Sequence, residues 1–120
     1  MSKTVNTEKN PEFRKKIRLS TVEELVMTVL WHQTRELYGL EISDVIEKAA
    51  GDNAVSFGSL YPALRRLEEK GFLVSRWGDE TKERGGARRR YYKVTADGIE
   101  AVQRIQDIRD QLANLIFVTA

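Results

Sequence analysis

Cysteine is absent from the 120-residue chain, and histidine occurs once, at His32. Without thiols there is no disulfide, no thiolate nucleophile and no cysteine-held zinc. One imidazole, with no carboxylates clustered at ligand spacing, supports neither a metal site nor a catalytic base. A phosphate-binding glycine loop and a nucleophile motif are missing too, so the sequence reads as a non-enzyme without a cofactor. Long apolar runs are also lacking. The longest, "LVMTVLW" from Leu25 to Trp31, is far too short to span a bilayer, and the N-terminal "MSKTVNTEKNPEF" has no apolar signal region. A soluble cytoplasmic protein with no membrane partner is expected.

The residues present, 41% hydrophobic and 32% charged, suit one folded domain with one modest core. The formal net charge is only +2, yet it is unevenly spread: residues 1–50 carry eight basic and eight acidic side chains, and residues 51–100 carry ten and eight. The excess collects in "RGGARRRYYKVT", residues 84–95, where Arg84, Arg88, Arg89, Arg90 and Lys93 stand without an acid among them. A local basic stripe on a nearly neutral chain points to a polyanionic partner, although a charge run taken alone is more often a solvated face.

Periodicity divides the chain. Residues 1–18 are polar and end in "RKKIR", which reads as a flexible basic arm with Phe13 and Ile17 as anchors. Ser20 and Glu23 form a capping box before a helix over Thr21–Thr34, whose apolar stripe is Val22, Leu25, Val26, Val29 and Leu30. After a turn at Gly39, a second helix over Leu40–Ala50 has Ile42, Val45, Ile46 and Ala49 inward and Glu41, Asp44 and Glu47 outward. A third lies in "SFGSLYPALRRLEEKG", with Phe57, Leu60, Leu64 and Leu67 on one face, Ser56 as N-cap and Gly71 as stop. Pro62 implies a tight or distorted first turn there.

Beyond Gly71 the period becomes two. "FLVSRW" and "RRYYKV" read as a two-stranded hairpin with a long polar tip, Arg90, Tyr92 and Val94 pointing one way and Arg89, Tyr91 and Lys93 the other. Thr95 then caps a last helix in which Ala101, Ile105, Ile108, Leu112 and Leu115 recur as a heptad seam. That seam suits a dimer interface, with Ile99 and Val102 left to pack on the domain.

Three helices followed by a hairpin form a winged helix-turn-helix, here over residues 19–95, with residues 96–120 as a dimerisation helix. The fold class is mainly α with a small β-hairpin. In this arrangement the third helix enters the DNA major groove and the hairpin reaches the neighbouring backbone. Ser59, Ala63, Arg66 and Lys70 are expected opposite the leucines of that helix, with Gly58, Tyr61 and Arg65 on the flank. Small residues there permit close approach, and Arg65 and Arg66 can bind phosphate or guanine edges. Tyr61 either closes the core or touches phosphate. Tyr91 and Tyr92 support the wing. Trp31 and Trp77 are candidates for an aromatic effector pocket, Trp31 the first of them, with structural packing as the plainer reading of each.

"GSLYPALRRLEEKGFL", residues 58–73, followed by "GARRRYYKVTADG", residues 86–98, strongly resembles the PadR family of bacterial winged-helix regulators over roughly Leu19 to Leu115. The resemblance implies a homodimer on a palindromic operator in double-stranded DNA, usually a repressor, in some members released by a small molecule. It places Gly58, Ser59, Tyr61 and Arg65 on the recognition helix and Arg88 to Arg90 on the wing. Ala87 stands where many members have proline, and Leu40 where an aromatic is common. The single C-terminal helix is similar to the short subfamily, which includes clock-associated cyanobacterial members. The alternative is a winged-helix module whose basic wing meets an acidic protein and which has no operator of its own.

Overall fold

The structure, a computed structural model, describes the backbone of residues 11–80 and 88–119 and the side chains of residues 11–79 and 88–115. Helix α1 covers Pro11–Lys16 within the segment expected to be an arm. Proline at its start needs no N–H partner, and Glu12 at the N-terminal end and Arg14, Lys15 and Lys16 at the other complement the helix dipole. Phe13 and Ile17 pack on the core, the Phe13 ring meeting Phe72 edge-on at 6.4 Å.

Helix α2, Thr21–Gln33, begins at the expected capping box: Glu23 N donates to Ser20 Oγ (3.2 Å) and Ser20 N to Glu23 Oε1 (2.8 Å). Strand β1 is Leu37–Tyr38, and helix α3, Gly39–Ala50, follows without an intervening turn. Tyr38 N donates to Glu41 Oε1 (3.1 Å), so an acid of the second helix has a capping task. Along α3, Ile42 and Ile46 are buried as expected, but Ala49 is exposed. Helix α4 is Phe57–Glu69, capped by Ser56 Oγ, which accepts from Ser59 N (3.2 Å). Ser59 N and Leu60 N both donate to the Ser56 carbonyl, at 3.1 and 2.9 Å, which gives the tight first turn that precedes Pro62.

Strands β2, Leu73–Glu80, and β3, Arg88–Val94, form the hairpin, with a register shift between Trp77 and Glu80. The sheet has three antiparallel strands in the order β1-β3-β2, not the two expected, because Leu37 and Tyr38 pair with Tyr92 and Tyr91 along the otherwise open edge of β3. Two residues are too few to show alternation in sequence. The hairpin tip, with Arg84 and Ala87, lies outside the described residues.

Helix α5, Ala96–Thr119, starts from Thr95, whose Oγ1 accepts from Gly98 N (3.0 Å) and donates to the Gly71 carbonyl (2.7 Å). Gly98 sits so close to the Phe72 carbonyl and the Met27 side chain that a Cβ would have no room. This approach seats the first turns of α5 in the core: Ala101 and Val102 are buried with Met27, Leu30, Leu64, Leu67 and Phe72. Ala101, expected on the dimer seam, therefore belongs to the domain's own interior.

One buried charge joins α2 to α4. Glu23 is 3% exposed, yet its Oε2 accepts from Arg66 Nε at 2.8 Å and its Oε1 lies 3.8 Å from Lys70 Nζ. Burial pushes this carboxyl up, but the hydrogen bonds from Arg66 and the Ser20 amide and the charges of Lys70 and Arg66 outweigh it, leaving the group below its ordinary value of 4.5. A carboxyl lowered on folding contributes stability above its unfolded value, and the contribution is lost as pH falls through the lower folded value. Glu23→Ala should destabilise the protein by about 2 kcal/mol at neutral pH, less than for a fully enclosed pair because half-exposed Arg66 can return to water. Urea titrations should show the two proteins converging in stability as pH falls from the ordinary carboxyl value of 4.5 through the lower folded one.

Candidate nucleic-acid interface

The buried side of α4 is Leu60, Ala63, Leu64 and Leu67, which leaves Gly58, Tyr61, Arg65 and Glu69 along its exposed ridge. Of the expected outward face of Ser59, Ala63, Arg66 and Lys70, Ser59 and Arg66 are exposed and Ala63 is not. Ala63 is fully buried, and Arg66 and Lys70 turn to Glu23 on α2, since a carboxylate drawn into the interior needs its counter-charge nearby. Ser59 is exposed, but its Oγ accepts from Ser56 Oγ at 3.2 Å and so helps fasten the cap. Arg65 is exposed and makes no hydrogen bond or ion pair among the described residues.

The positive end of the α4 dipole, the bare backbone of Gly58 and the cation of Arg65 all lie in its N-terminal two-thirds, whereas Glu68 and Glu69 make the other end acidic. An approaching polyanion is therefore favoured at the N-terminal portion. There the Tyr61 ring lies over the start of α3, so close to Gly39 that a Cβ on that residue would fall 2.5 Å from the phenol oxygen. Tyr61 remains 48% exposed and meets Phe57 at a ring separation of 5.9 Å. It neither closes the core nor stands free of it.

The three arginines of the wing do not share one environment. Alternation along β3 puts Arg88 and Arg90 beside Trp77, at 6.0 and 5.2 Å from its ring centroid, while Arg89 lies 4.4 Å from the centroid of the Tyr38 ring. Arg88 Nε donates to the Gly78 carbonyl (3.0 Å) and the residue is exposed. Arg90 is held by Ser75 and Glu68. On the other face Tyr38 packs edge-on to Tyr91 at 5.7 Å, and Arg76 covers Tyr91 at 5.0 Å while making a bidentate pair with Glu36. The hydrogen bond from Arg76 is the main reason the Glu36 carboxyl lies below its ordinary range. Tyr91 and Tyr92 thus brace the wing, Tyr92 buried and Tyr91 clasped by Arg76. Arg76 was not singled out from the sequence. Its signal was the cross-strand position opposite Tyr91, which needs the register.

Between the start of α3, the start of α4 and the hairpin lies an open cleft of about 490 Å³, lined by Tyr38, Phe57, Tyr61 and Trp77 and by the three arginines of β3. Trp31 does not line it. That residue is half-buried against the core, with its ring 4.4 Å from His32. No cluster of metal-ligating side chains occurs among the described residues, and no described helix is long and apolar enough to cross a membrane.

The sequence model of the transcriptional regulator PadR-like family matches residues 26–104, which run from α2 through the wing into α5. The chain belongs to that family. Among solved structures, a PadR-like transcription factor from Bacteroides fragilis is similar at 25% identity and a TM-score of 0.72, covering 89% of this chain and 97% of the other. A transcriptional regulator from Clostridium thermocellum shares 30% identity with a TM-score of 0.65, over 79% and 88% of the two chains. Bacillus subtilis PadR, in a complex with operator DNA, is similar in fold at 18% identity and a TM-score of 0.63, over 72% of this chain and 48% of that one. No curated protein sequence matches the chain significantly. For this PadR-like chain the matched span includes α4 and the arginine strand, and it ends at residue 104, before most of the apolar seam of α5.

Proposed function

We propose that the protein is a sequence-specific regulator of transcription that binds double-stranded DNA as a homodimer and represses from a palindromic operator. The observation that carries the reading is the cleft: Phe57 and Tyr61 at the start of α4 and the three arginines of β3 line one surface, with the exposed ridge of α4 beside it, as a helix for the major groove and a wing for the adjacent backbone require. The operator complex of Bacillus subtilis PadR supports it by likeness of fold. In this reading Gly58, Tyr61 and Arg65 meet the groove, Ser59 contributes through the cap, and Arg88 and Arg89 reach phosphate. The remaining seam of α5, Ile105, Ile108, Leu112 and Leu115, joins two copies. Leu112 and Leu115 are 53% and 60% exposed, more apolar surface than a solvated helix end needs.

A flat aromatic effector, if one regulates binding, would stack on exposed Trp77 in the cleft, against the DNA-facing surface itself. A site at Trp31 would instead require the second copy to complete it.

The test is selection of duplexes from a random pool by the full-length protein, followed by titration of the enriched duplex and a scrambled one. Enrichment of a palindrome bound at least about 1,000-fold more tightly than its scrambled version is expected. Equal, weak binding to both would favour the protein-binding alternative.

A further inference from the structure

The wing and α4 are tied together by a closed triangle of polar side chains, one from each element. Ser75 of β2 donates its hydroxyl to Glu68 Oε2 of α4 at 2.6 Å and accepts from Arg90 Nε of β3 at 2.9 Å. Arg90 Nη2 closes the figure 3.4 Å from Glu68 Oε1. The guanidinium also lies 5.2 Å from the Trp77 ring centroid. All three side chains are partly shielded from water, Arg90 at 40% and Glu68 at 32% side-chain exposure. Charge-assisted bonds of this kind are stronger and more directional than those between neutral groups. They cross from the helix to both strands of the hairpin.

We propose that Glu68, Ser75 and Arg90 form a clamp that sets the angle of the wing against α4. Within the DNA-binding reading on which this rests, Arg90 is a positioning residue and not a phosphate ligand. A phosphate approaching Arg90 would meet a guanidinium whose charge is already offset by the carboxylate beside it and whose Nε and Nη2 face Ser75 and Glu68. Exposed Arg88, which among the described residues uses only its Nε, carries no such tie. The clamp also accounts for an acid on the last turn of α4 beside the wing, where plain electrostatics would select against one. Lysine at 90 would keep the charge but lose the fork that reaches Ser75 and Glu68 together.

The two roles predict opposite signs for Glu68→Gln. Removing a negative charge beside a DNA-binding surface should tighten binding to every duplex by simple electrostatics. Loosening a clamp should weaken binding to the enriched operator by about tenfold, the equivalent of one charge-assisted hydrogen bond, and lower the operator-to-scrambled ratio. Arg90→Lys should match that loss, and the double variant should add little to either. Arg90→Gln should leave the slope of log K against log salt unchanged, whereas Arg88→Gln should reduce it by about one unit. In the free protein, Glu68→Gln and Ser75→Ala should each speed hydrogen exchange at β2 and β3 amides by roughly tenfold while α2 and α3 stay protected. The clamp is overturned if exchange is unaltered, if Glu68→Gln binds the operator as tightly as the parent or more so, or if Arg90→Gln flattens the salt slope. Should the pool yield no enriched duplex, the DNA reading fails by itself, and the exchange measurement still decides the clamp.

Discussion

Replacing Ile108 and Leu112 together with aspartate should leave the protein monomeric in sedimentation at micromolar concentration. Across a twofold interface each change counts twice, so four apolar side chains are lost. At about 1–2 kcal/mol each for the surface still available to bury, the loss is about 4–8 kcal/mol, at least a thousandfold in dissociation constant, before the cost of bringing aspartates together. The fold itself should survive: Leu112 is 53% exposed within its own chain and Ile108 only half-buried, while the part of α5 that the domain needs, Ala101 and Val102, is untouched. The ion pair of Arg109 with Glu24 should keep holding the middle of α5 to α2. A double variant that remains dimeric with an unchanged melting temperature would move the interface off this seam. In the proposed reading of a palindromic site by two copies, operator affinity should fall with dimerisation, and half-site binding should persist at high protein concentration.

Arg65→Ala and Arg88→Gln should fail differently on DNA. Arg65 projects from a rigid helix and has no partner among the described residues, so it is available for a base edge. Its removal should cost roughly 1–3 kcal/mol on the enriched operator and much less on a scrambled duplex. Among the described residues, Arg88 is held through Nε to the Gly78 carbonyl and lies 6.0 Å from the Trp77 ring, which leaves the rest of its exposed fork for the phosphate contact proposed above. Arg88→Gln should weaken all duplexes alike and lower the salt slope by about one unit. Salt titrations of both variants on both duplexes separate the cases. A full salt slope in Arg88→Gln would mean that the wing arginine is solvated in the complex. Ser59→Ala should act as a mild helix-cap lesion, costing about 0.5–1 kcal/mol of stability with little change in which sequence is bound.

The sequence by itself determined the order of the four longer helices and the hairpin, the caps and the division of the wing. Ser20 with Glu23, Ser56 and Thr95 are local chemistry, and the distances at all three caps match it because a helix end must satisfy its own N–H groups within a few residues. Alternation at period two likewise separated Arg89 and Tyr91 from Arg90 and Tyr92 before any pairing was known. What only the tertiary structure decided depends on contacts between residues far apart in the chain. The pairing of Leu37 with Tyr92 made a third strand from two residues without pattern, and the close seat of Gly98 under Phe72 drew Ala101 from the seam into the core. Glu23, read as half of a cap, also claims Arg66 forty-three residues away, and burial of Ala63 with the leucines leaves Gly58, Tyr61 and Arg65 on the exposed ridge of α4. The same holds for the wing, where three adjacent arginines that look alike in sequence separate into a tie to Glu68, a cation over Tyr38 and an exposed fork. A side chain's charge is local, but its partner is set by whichever distant acid or ring the packing brings within about 4 Å, because desolvated charges are costly unless matched.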